Sequence, residues 1–580
     1  CAAPVGLVEA FESLSMPPDD IACLHLMTCG LPWAENGESN YRHRTYFVGT
    51  DSEALVRQGR GEYVPLSSAE FVRLVENGRI RIDVALIRCT PPDTFGYVNL
   101  GVSVDVLPTV IRHARHVIAE VNPAMPRTMG ETSVDLDSID RLVIDERPMT
   151  EFSYRSGGDV AERIAHYVAE IIEDGATLQI GPGPIPAETL RFLGGRRDLG
   201  IHSDWITEEV VDLIQSGVLT GRAKTLHRDR VVASGCLGTH RLQNFVDGNP
   251  MFDFKPVNYV ASIDVIARHR RMVSLTEAQA IDLTGQVCID QFHGEIRGGV
   301  GCQPEFMRGA SLAEGGKPII CLPSTTDDGK ESRIRPLLLA GEGVTIPRTD
   351  AHYIVTEWGI AYLFGKSVRE RAIELIEIAH PDFRASLLEE ARRLGYVHPE
   401  QKLASTRAYP IEEERTLQLK SGRTVMIRPA RAADVTAMKD IFYRMSQDDV
   451  YLRFFRRLSS LSFQEAQRLC NVDFETDVAF VATTGTREDE RIVGTGCYFL
   501  NPSTNIAEVA YMVMPDWQGT GLGSALQDKL TDFARRRGVR GFLAQILTEN
   551  VRMLGLAKRA GQNIEIRRED DCFEVTTLFE

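Results

Sequence analysis

The stretch Ala507-Glu508-Val509-Ala510-Tyr511-Met512-Val513-Met514-Pro515-Asp516-Trp517-Gln518-Gly519-Thr520-Gly521-Leu522-Gly523-Ser524-Ala525 reads as a strand, a glycine turn and the start of a helix. The alternating segment carries one charge, Glu508, and Pro515 stops it. After the glycines, Leu522, Ala525, Leu526, Leu530 and Phe533 fall on one helical stripe. Strand, glycine loop and helix start, in that order, aim bare backbone N–H groups at an anion, and the helix dipole adds to the attraction. Glycine serves because a Cβ would hold the backbone away from phosphate oxygens. A plain glycine turn is the alternative; spacing, strand and carboxylate together favour an anion site.

Gln518-Gly519-Thr520-Gly521-Leu522-Gly523 resembles motif A (Q/R-x-x-G-x-G/A) of the GNAT acyltransferases, which hold the pyrophosphate of acetyl-CoA on this loop. The resemblance covers residues 417–580. Asp448-Asp449-Val450-Tyr451-Leu452-Arg453-Phe454-Phe455 is similar to the first-helix region of bacterial protein lysine acetyltransferases. Asn550, with Met553, Leu554 and Gly561, is similar to the second CoA-side motif, departing from it at Gln562, where an aromatic residue is usual. The resemblance implies CoA contacts from Met512, Val513 and Met514 on the strand, from Gln518, Gly519, Thr520, Gly521, Leu522, Gly523 and Ser524 in the turn, and from Asn550. Asn550 reads equally well as the N-cap of the helix that follows it.

An amine attacks a thioester only as the neutral base, and a lysine ammonium of pKa ~10.4 is almost fully protonated at pH 7. A carboxylate near the thioester, directly or through a water, takes that proton. Glu508 shares a strand face with Ala510, Met512 and Met514, opposite Val509, Tyr511 and Val513. It lines the cleft or lies on a solvated face. Small and apolar neighbours favour the cleft and the role of general base.

A chain of 580 residues is too long for one core and implies several domains. Apolar content of 43% and charged content of 25% describe a globular protein. The net charge of −16 opposes nucleic-acid binding, which needs a basic face. Eleven dispersed cysteines, without C-x-x-C or H-E-x-x-H, point to reduced thiols rather than disulfides, and no metal site is expected. No apolar run approaches a membrane span and no signal peptide is visible, so a cytoplasmic location is expected, without membrane partners. The chain opens at Cys1 without a methionine, and the expectation is that its N-terminus is clipped.

Upstream, strand-like runs (83–87, 177–180) alternate with amphipathic helical ones (159–173, 208–217), an α/β layout with a mainly parallel sheet. Gly181-Pro182-Gly183-Pro184-Ile185-Pro186 follows a strand as a phosphate cradle does, yet its prolines have no N–H to give. This loop therefore reads as a tight turn that lets a ligand or strand come close. Gly298-Gly299-Val300-Gly301 keeps its amides and is a candidate receiver of an oxyanion or acyl group.

From Pro4 to Val397 the chain resembles the acetyl-CoA hydrolase/acetate CoA-transferase family, which includes 4-hydroxybutyrate CoA-transferases. The resemblance rests on blocks in order: Pro91-Pro92-Asp93, Glu120-Val121-Asn122, Asp282-Leu283-Thr284-Gly285-Gln286-Val287, Gly329-Lys330-Glu331-Ser332-Arg333, Val355-Thr356-Glu357-Trp358-Gly359 and His380-Pro381-Asp382-Phe383-Arg384. It implies two similar α/β halves with the site between them, acyl-CoA contacts at Gly299, Val300 and Gly301, and a homo-oligomer. The expected organisation is thus two transferase-like α/β halves over 1–195 and 196–403, a polar linker over 404–416, and a GNAT α+β domain with a mixed sheet over 417–580.

The resemblance also implies a glutamate nucleophile two residues before the aspartate of the D-L-x-G-Q-V block. Here that position is Ala280, which forms no anhydride. Three carboxylates are weighed as substitutes. Glu277, three residues away, points to the opposite face of a continuous strand. Asp282 lies on the same side but about 6–7 Å further on. Glu295, just before the second glycine run, is the best candidate of the three, and a surface or hydrogen-bonded carboxylate is the favoured reading of it. The expected function is acetyl transfer from acetyl-CoA to an amine, a protein lysine or a small amine, with a transferase-like domain that binds or senses acyl-CoA. The alternatives are an active CoA-transferase or hydrolase using Glu295, and a non-catalytic CoA-binding scaffold.

Overall fold

The computed structural model describes residues 2–14, 21–28, 31, 41–154, 157–403, 410–470, 472, 474–486, 489–559, 561, 563–569 and 571–579. Part of the expected linker, 404–409, and Gln562 lie outside the described residues. The chain forms two compact units, Cys1–Gly365 and Lys366–Glu580. Among the described residues no helix is long and apolar enough to cross a membrane.

The first unit is α/β. Strands Val84–Cys89, His116–Val121 and Arg141–Ile144 form a small parallel sheet. The larger sheet has eight strands in the spatial order Phe252–Phe254, Val231–Leu237, Gly200–Thr207, Thr177–Ile180, Met272–Glu277, Lys317–Cys321, Tyr353–Thr356 and Gly359–Tyr362. Every pair is parallel except the last. Its strands are covered on both faces, so Thr177–Ile180 is buried throughout and reads as a continuous run. The helix Gly158–Ile171 packs through Ala161, Ile164, Ala165 and Val168, the spacing of a single stripe.

The strand Thr177–Ile180 lies inside the large sheet, so a boundary at 195 cuts through that sheet. The two sheets separate instead between Ile144 and Gly158. Chain order runs outward in both directions from the neighbours Thr177–Ile180 and Met272–Glu277. The crevice beyond their carboxyl ends is therefore the topological switch point, where open α/β sheets receive ligands.

The second unit begins with two helices, Val368–Glu377 and Pro381–Arg393, the first started by a capping box of Ser367 and Glu370. Its mixed eight-stranded sheet runs Arg415–Gln418, Thr424–Pro429, Asp477–Thr484, Arg491–Asn501, Ile506–Val513, Gly541–Leu547, Cys572–Leu578 and Asn563–Glu569. One face packs on the helix Leu522–Arg536 through Leu522, Leu526, Leu530 and Phe533; the other meets Val435, Met438, Ile441 and Phe442.

Two charged clusters hold this unit together. Buried Arg428 makes two-pronged contacts to Asp434 (2.9 and 2.8 Å) and Glu490 (2.9 and 2.8 Å), and its charge holds the Glu490 carboxyl down at about 2 despite burial. Glu413, inside the expected linker, accepts from Lys529 at 2.6 Å and from Arg536 at 2.8 Å, which fastens the end of that segment to the long helix. At the start of the unit, Glu377 accepts from the Ala432 amide at 2.9 Å, and burial pushes its carboxyl up to about 7.

Candidate functional site

The strand Ile506–Val513 pairs with Arg491–Asn501 along its whole length but with Gly541–Leu547 only at Ile506, Ala507 and Glu508. The latter strand meanwhile stays paired with Cys572–Leu578 throughout. This is the sheet's one parallel contact among its described strands, and it opens into a fork directly after Glu508. Backbone groups from residue 509 onward face the gap without a ladder partner on that side. A cavity of about 220 Å³ lies here, lined in part by Val509, Tyr511, Gln527, Phe542 and Ala544.

Beyond the fork the chain turns at Pro515–Trp517 into the glycine loop. Gly519 (φ 72°) and Gly521 (φ 97°) take left-handed conformations that an L side chain resists, and Gly521 caps the helix Leu522–Arg536. Among the described residues no acceptor is recorded for the amides of Gly519 through Ser524; Ala525 is the first to bond back, to the Gly521 carbonyl at 3.1 Å. Thr520 Oγ1 donates to the Trp517 carbonyl at 2.6 Å, and Gln518 Nε2 reaches the Val513 carbonyl at 3.4 Å, tying loop to strand. The result is a row of unspent donors at the positive end of a 15-residue helix.

Cations surround this loop that sequence reading did not single out. Arg552 donates to Gln518 Oε1 at 2.7 Å and Arg559 to Ser524 Oγ at 3.2 Å. The Lys420 side chain lies 3.7 Å from where a Cβ of residue 521 would sit. Arg552 and Arg559 carry a weak local signal, two and nine residues after Asn550; Lys420 carries none, since a distant hairpin brings it there. Asn550 Oδ1 accepts from the Met553 amide at 3.1 Å, so its side chain caps the helix Val551–Ala557.

Glu508 is exposed at the mouth of the fork, opposite Phe499 on one neighbour and Leu543 on the other. Its face-mates Ala510 and Met512 pack toward the helix Val435–Arg444, while Val509 and Tyr511 pack toward the long helix. Met512 is buried; Val513 and Met514 are partly buried near the loop, where the Met514 amide bonds the Val493 carbonyl at 3.0 Å.

In the first unit a cleft of about 450 Å³ gathers Tyr46, Phe47, Pro182, Asp204, Gly301 and Gln303 among its walls. The Gly298–Gly301 run borders it, but two of its amides are spent. Gly298 bonds the Val48 carbonyl at 3.1 Å, and the Val300 amide meets the Tyr63 hydroxyl. A Cβ on residue 299 would fall 2.7 Å from the Tyr46 carbonyl oxygen, so this glycine admits a protein strand. The candidate receiver at 298–301 thus has two of its four amides engaged within the chain.

The candidate carboxylates sort clearly. Glu295 is exposed and paired with Arg297 at 2.8 Å, which holds its carboxyl below the ordinary range; its placement gives no support to the role of substitute. Asp282 is fully buried and saturated by Thr284 and Gln286, including a 2.6 Å bond from Gln286 Nε2. Glu277 ends the strand Met272–Glu277, and Ala280 begins a different one, Ala280–Asp282, in another sheet. Residues 278–279 interrupt the chain between the two strands, so Glu277 and residue 280 are not held on opposite faces of one continuous strand.

A glycine-loop acyltransferase scaffold and a doubly wound α/β scaffold with a switch-point cleft thus define a two-part transferase, an enzyme that uses CoA. The acetyl-CoA hydrolase/transferase family matches with its N-terminal domain over residues 28–152 and its C-terminal domain over 238–391, and the acetyltransferase (GNAT) family over 446–562. The 4-hydroxybutyrate coenzyme A transferase of Clostridium kluyveri is 41% identical over 392 residues, 67% of this chain and 91% of that protein. The crystal structure of RipA from Yersinia pestis, 35% identical, covers 65% of this chain and 87% of its own, with a TM-score of 0.61. An acetyltransferase of Pseudomonas aeruginosa, PA5475, is 32% identical over 122 residues, 21% of this chain and 66% of that protein. The chain belongs to the acetyl-CoA hydrolase/transferase family and carries a C-terminal GNAT domain.

Proposed function

We propose that the second unit transfers acetyl from acetyl-CoA to an amine, a protein lysine or a small amine, and that the first unit binds an acyl-CoA. The observation that carries the reading is the alignment of three features on one strand–turn–helix: the fork after Glu508, the unspent amides of 519–524, and the exposed carboxylate at the fork's mouth. The amides and the nearby Arg552, Arg559 and Lys420 suit a diphosphate. The unpaired strand edges suit an extended chain of amides, which supplies the missing ladder partner. With the thioester held at the fork, Glu508 accepts the ammonium proton directly or through a water. The neutral amine then attacks the carbonyl carbon, the C–S bond breaks, and the departing CoA thiolate takes the second proton that the new amide nitrogen sheds.

In the first unit, residue 280 supplies no nucleophile, being alanine, so any turnover there starts from another group. The cytoplasm and a homo-oligomeric state belong to the same proposal; reduced thiols and the habits of the family support them. The experiment is to incubate the full chain with acetyl-CoA and lysine-containing peptides and follow free thiol and peptide mass together. Stoichiometric acetyl-lysine and thiol are expected. Tight acetyl-CoA binding with no acetylated amine from any peptide or polyamine would overturn the proposal in favour of a CoA-binding scaffold.

A further inference from the structure

Glu277 is the last residue of the strand Met272–Glu277, at the switch point beside Thr177–Ile180, and its carboxylate lies against the loop that follows the latter strand. Its Oε2 is shielded from solvent and has no hydrogen-bond partner among the described residues. The loop after Thr177–Ile180 forms the facing wall, held by a 3.5 Å contact from the Gly181 amide to the Leu275 carbonyl. A Cβ at Gly183 would fall 3.0 Å from Glu277 Oε2, so the glycine makes room for the carboxylate. Adjacent Pro182 lines the same cleft as Gly301 and Gln303. Arg333, fixed by the Gln279 carbonyl at 3.2 Å and the Thr325 carbonyl at 3.1 Å, sets a positive charge nearby.

We infer that Glu277 is the catalytic nucleophile of the first unit, standing in from the end of the preceding strand for the residue absent at 280. The inference rests on the reading that this unit binds acyl-CoA. A Glu277 oxygen attacks the thioester carbonyl carbon, the C–S bond breaks, and CoA leaves as thiolate, giving a mixed anhydride. The thiolate then attacks the glutamyl carbonyl and the acyl group departs as a carboxylate, leaving a CoA thioester on Glu277. A second carboxylate reverses both steps, with no net proton or electron to supply.

The surroundings fit this task. Burial pushes the Glu277 carboxyl up and strips water from the anion, while Arg333 and the Ile185 amide at the start of Pro184–Arg191 favour the charged form. Asp204, the carboxylate that lines the cleft beside Pro182, is bound by Gln179 and Ser203 and crowded by Asp105.

The test is to incubate the full chain with acetyl-CoA, reduce with borohydride, and map the peptides by mass. A glutamyl-CoA thioester is cut to the primary alcohol, so the conversion is expected on residue 277 and nowhere else. It should vanish in Glu277→Gln while the melting temperature stays within a few degrees; a merely helix-capping carboxylate would give no covalent product at all. Ala280→Glu separates the two possible failures. Product on residue 280 of that variant, with none on 277 of the natural chain, overturns the role of Glu277 and leaves acyl-CoA binding standing. Product on neither overturns both, and product on Asp204 or Glu295 reassigns the nucleophile.

Discussion

The two glycine runs, 298–301 and 519–523, look equivalent as strings and do opposite things in the molecule. In the first, Gly299 gives way to the backbone of Tyr46 and Phe47, and the amides of Gly298 and Val300 are taken by Val48 and Tyr63. In the second, the amides open a helix and have no recorded partner among the described residues. Glycine declares only that something approaches closely. Whether that is a ligand or another stretch of the same chain depends on contacts some 250 residues away in sequence.

The strongest way to test the contrast is Glu508→Gln. With the base removed, acetyl transfer should fall about 10²–10⁴-fold in kcat, while acetyl-CoA affinity by calorimetry stays unchanged. An unchanged kcat sinks the role of general base. Next is the glycine pair itself. Gly521→Val places a branched side chain at φ 97°, a strain of roughly 1–2 kcal/mol, and acetyl-CoA affinity of the second unit should drop about tenfold. Gly299→Ala should instead lower the thermal stability of the first unit by about 1–3 kcal/mol and leave acetyl transfer untouched. If both variants weaken acetyl-CoA binding by the loop alike, the two runs are not different in kind.

A smaller effect concerns pH. Arg536, and with it Lys529, holds the Glu413 carboxyl down at about 2, below its unfolded value of ~4.3. Its contribution is therefore complete above that unfolded value and is lost as pH falls toward 2. Glu413→Gln should cost about 1–2 kcal/mol at neutral pH, and the deficit should shrink on acidification; calorimetric melts across that window check it. The smallest effect is expected from Arg552→Ala, a two- to fivefold loss of acetyl-CoA affinity (roughly 0.5–1 kcal/mol) that fades with added salt.

Sequence showed whatever depends on near neighbours. The strand–turn–helix at 507–525, the strands at 83–87 and 177–180 and both families are carried by local patterns. The fork was hidden, because a strand's own residues do not say where its neighbour veers away. The faces of the first-unit carboxylates follow from sequence only if a strand runs unbroken through 277–280, and two residues break it. The expected boundary at 195 falls between two neighbouring strands of one sheet for the same reason: Thr177–Ile180 sits mid-sheet only because later strands add on either side of it.

The helices Val368–Glu377 and Pro381–Arg393 carry transferase-family sequence yet fold with the acetyltransferase unit. A bond from the Ala432 amide to Glu377 ties them to that unit's first turn. Anyone dissecting the protein at the polar stretch near 404 would thus cut through one folding body, leaving an orphaned amide on one fragment and a bare helical hairpin on the other. A boundary between two family patterns need not be a boundary between folded bodies; a fragment starting before Lys366 keeps the Ala432–Glu377 bond whole.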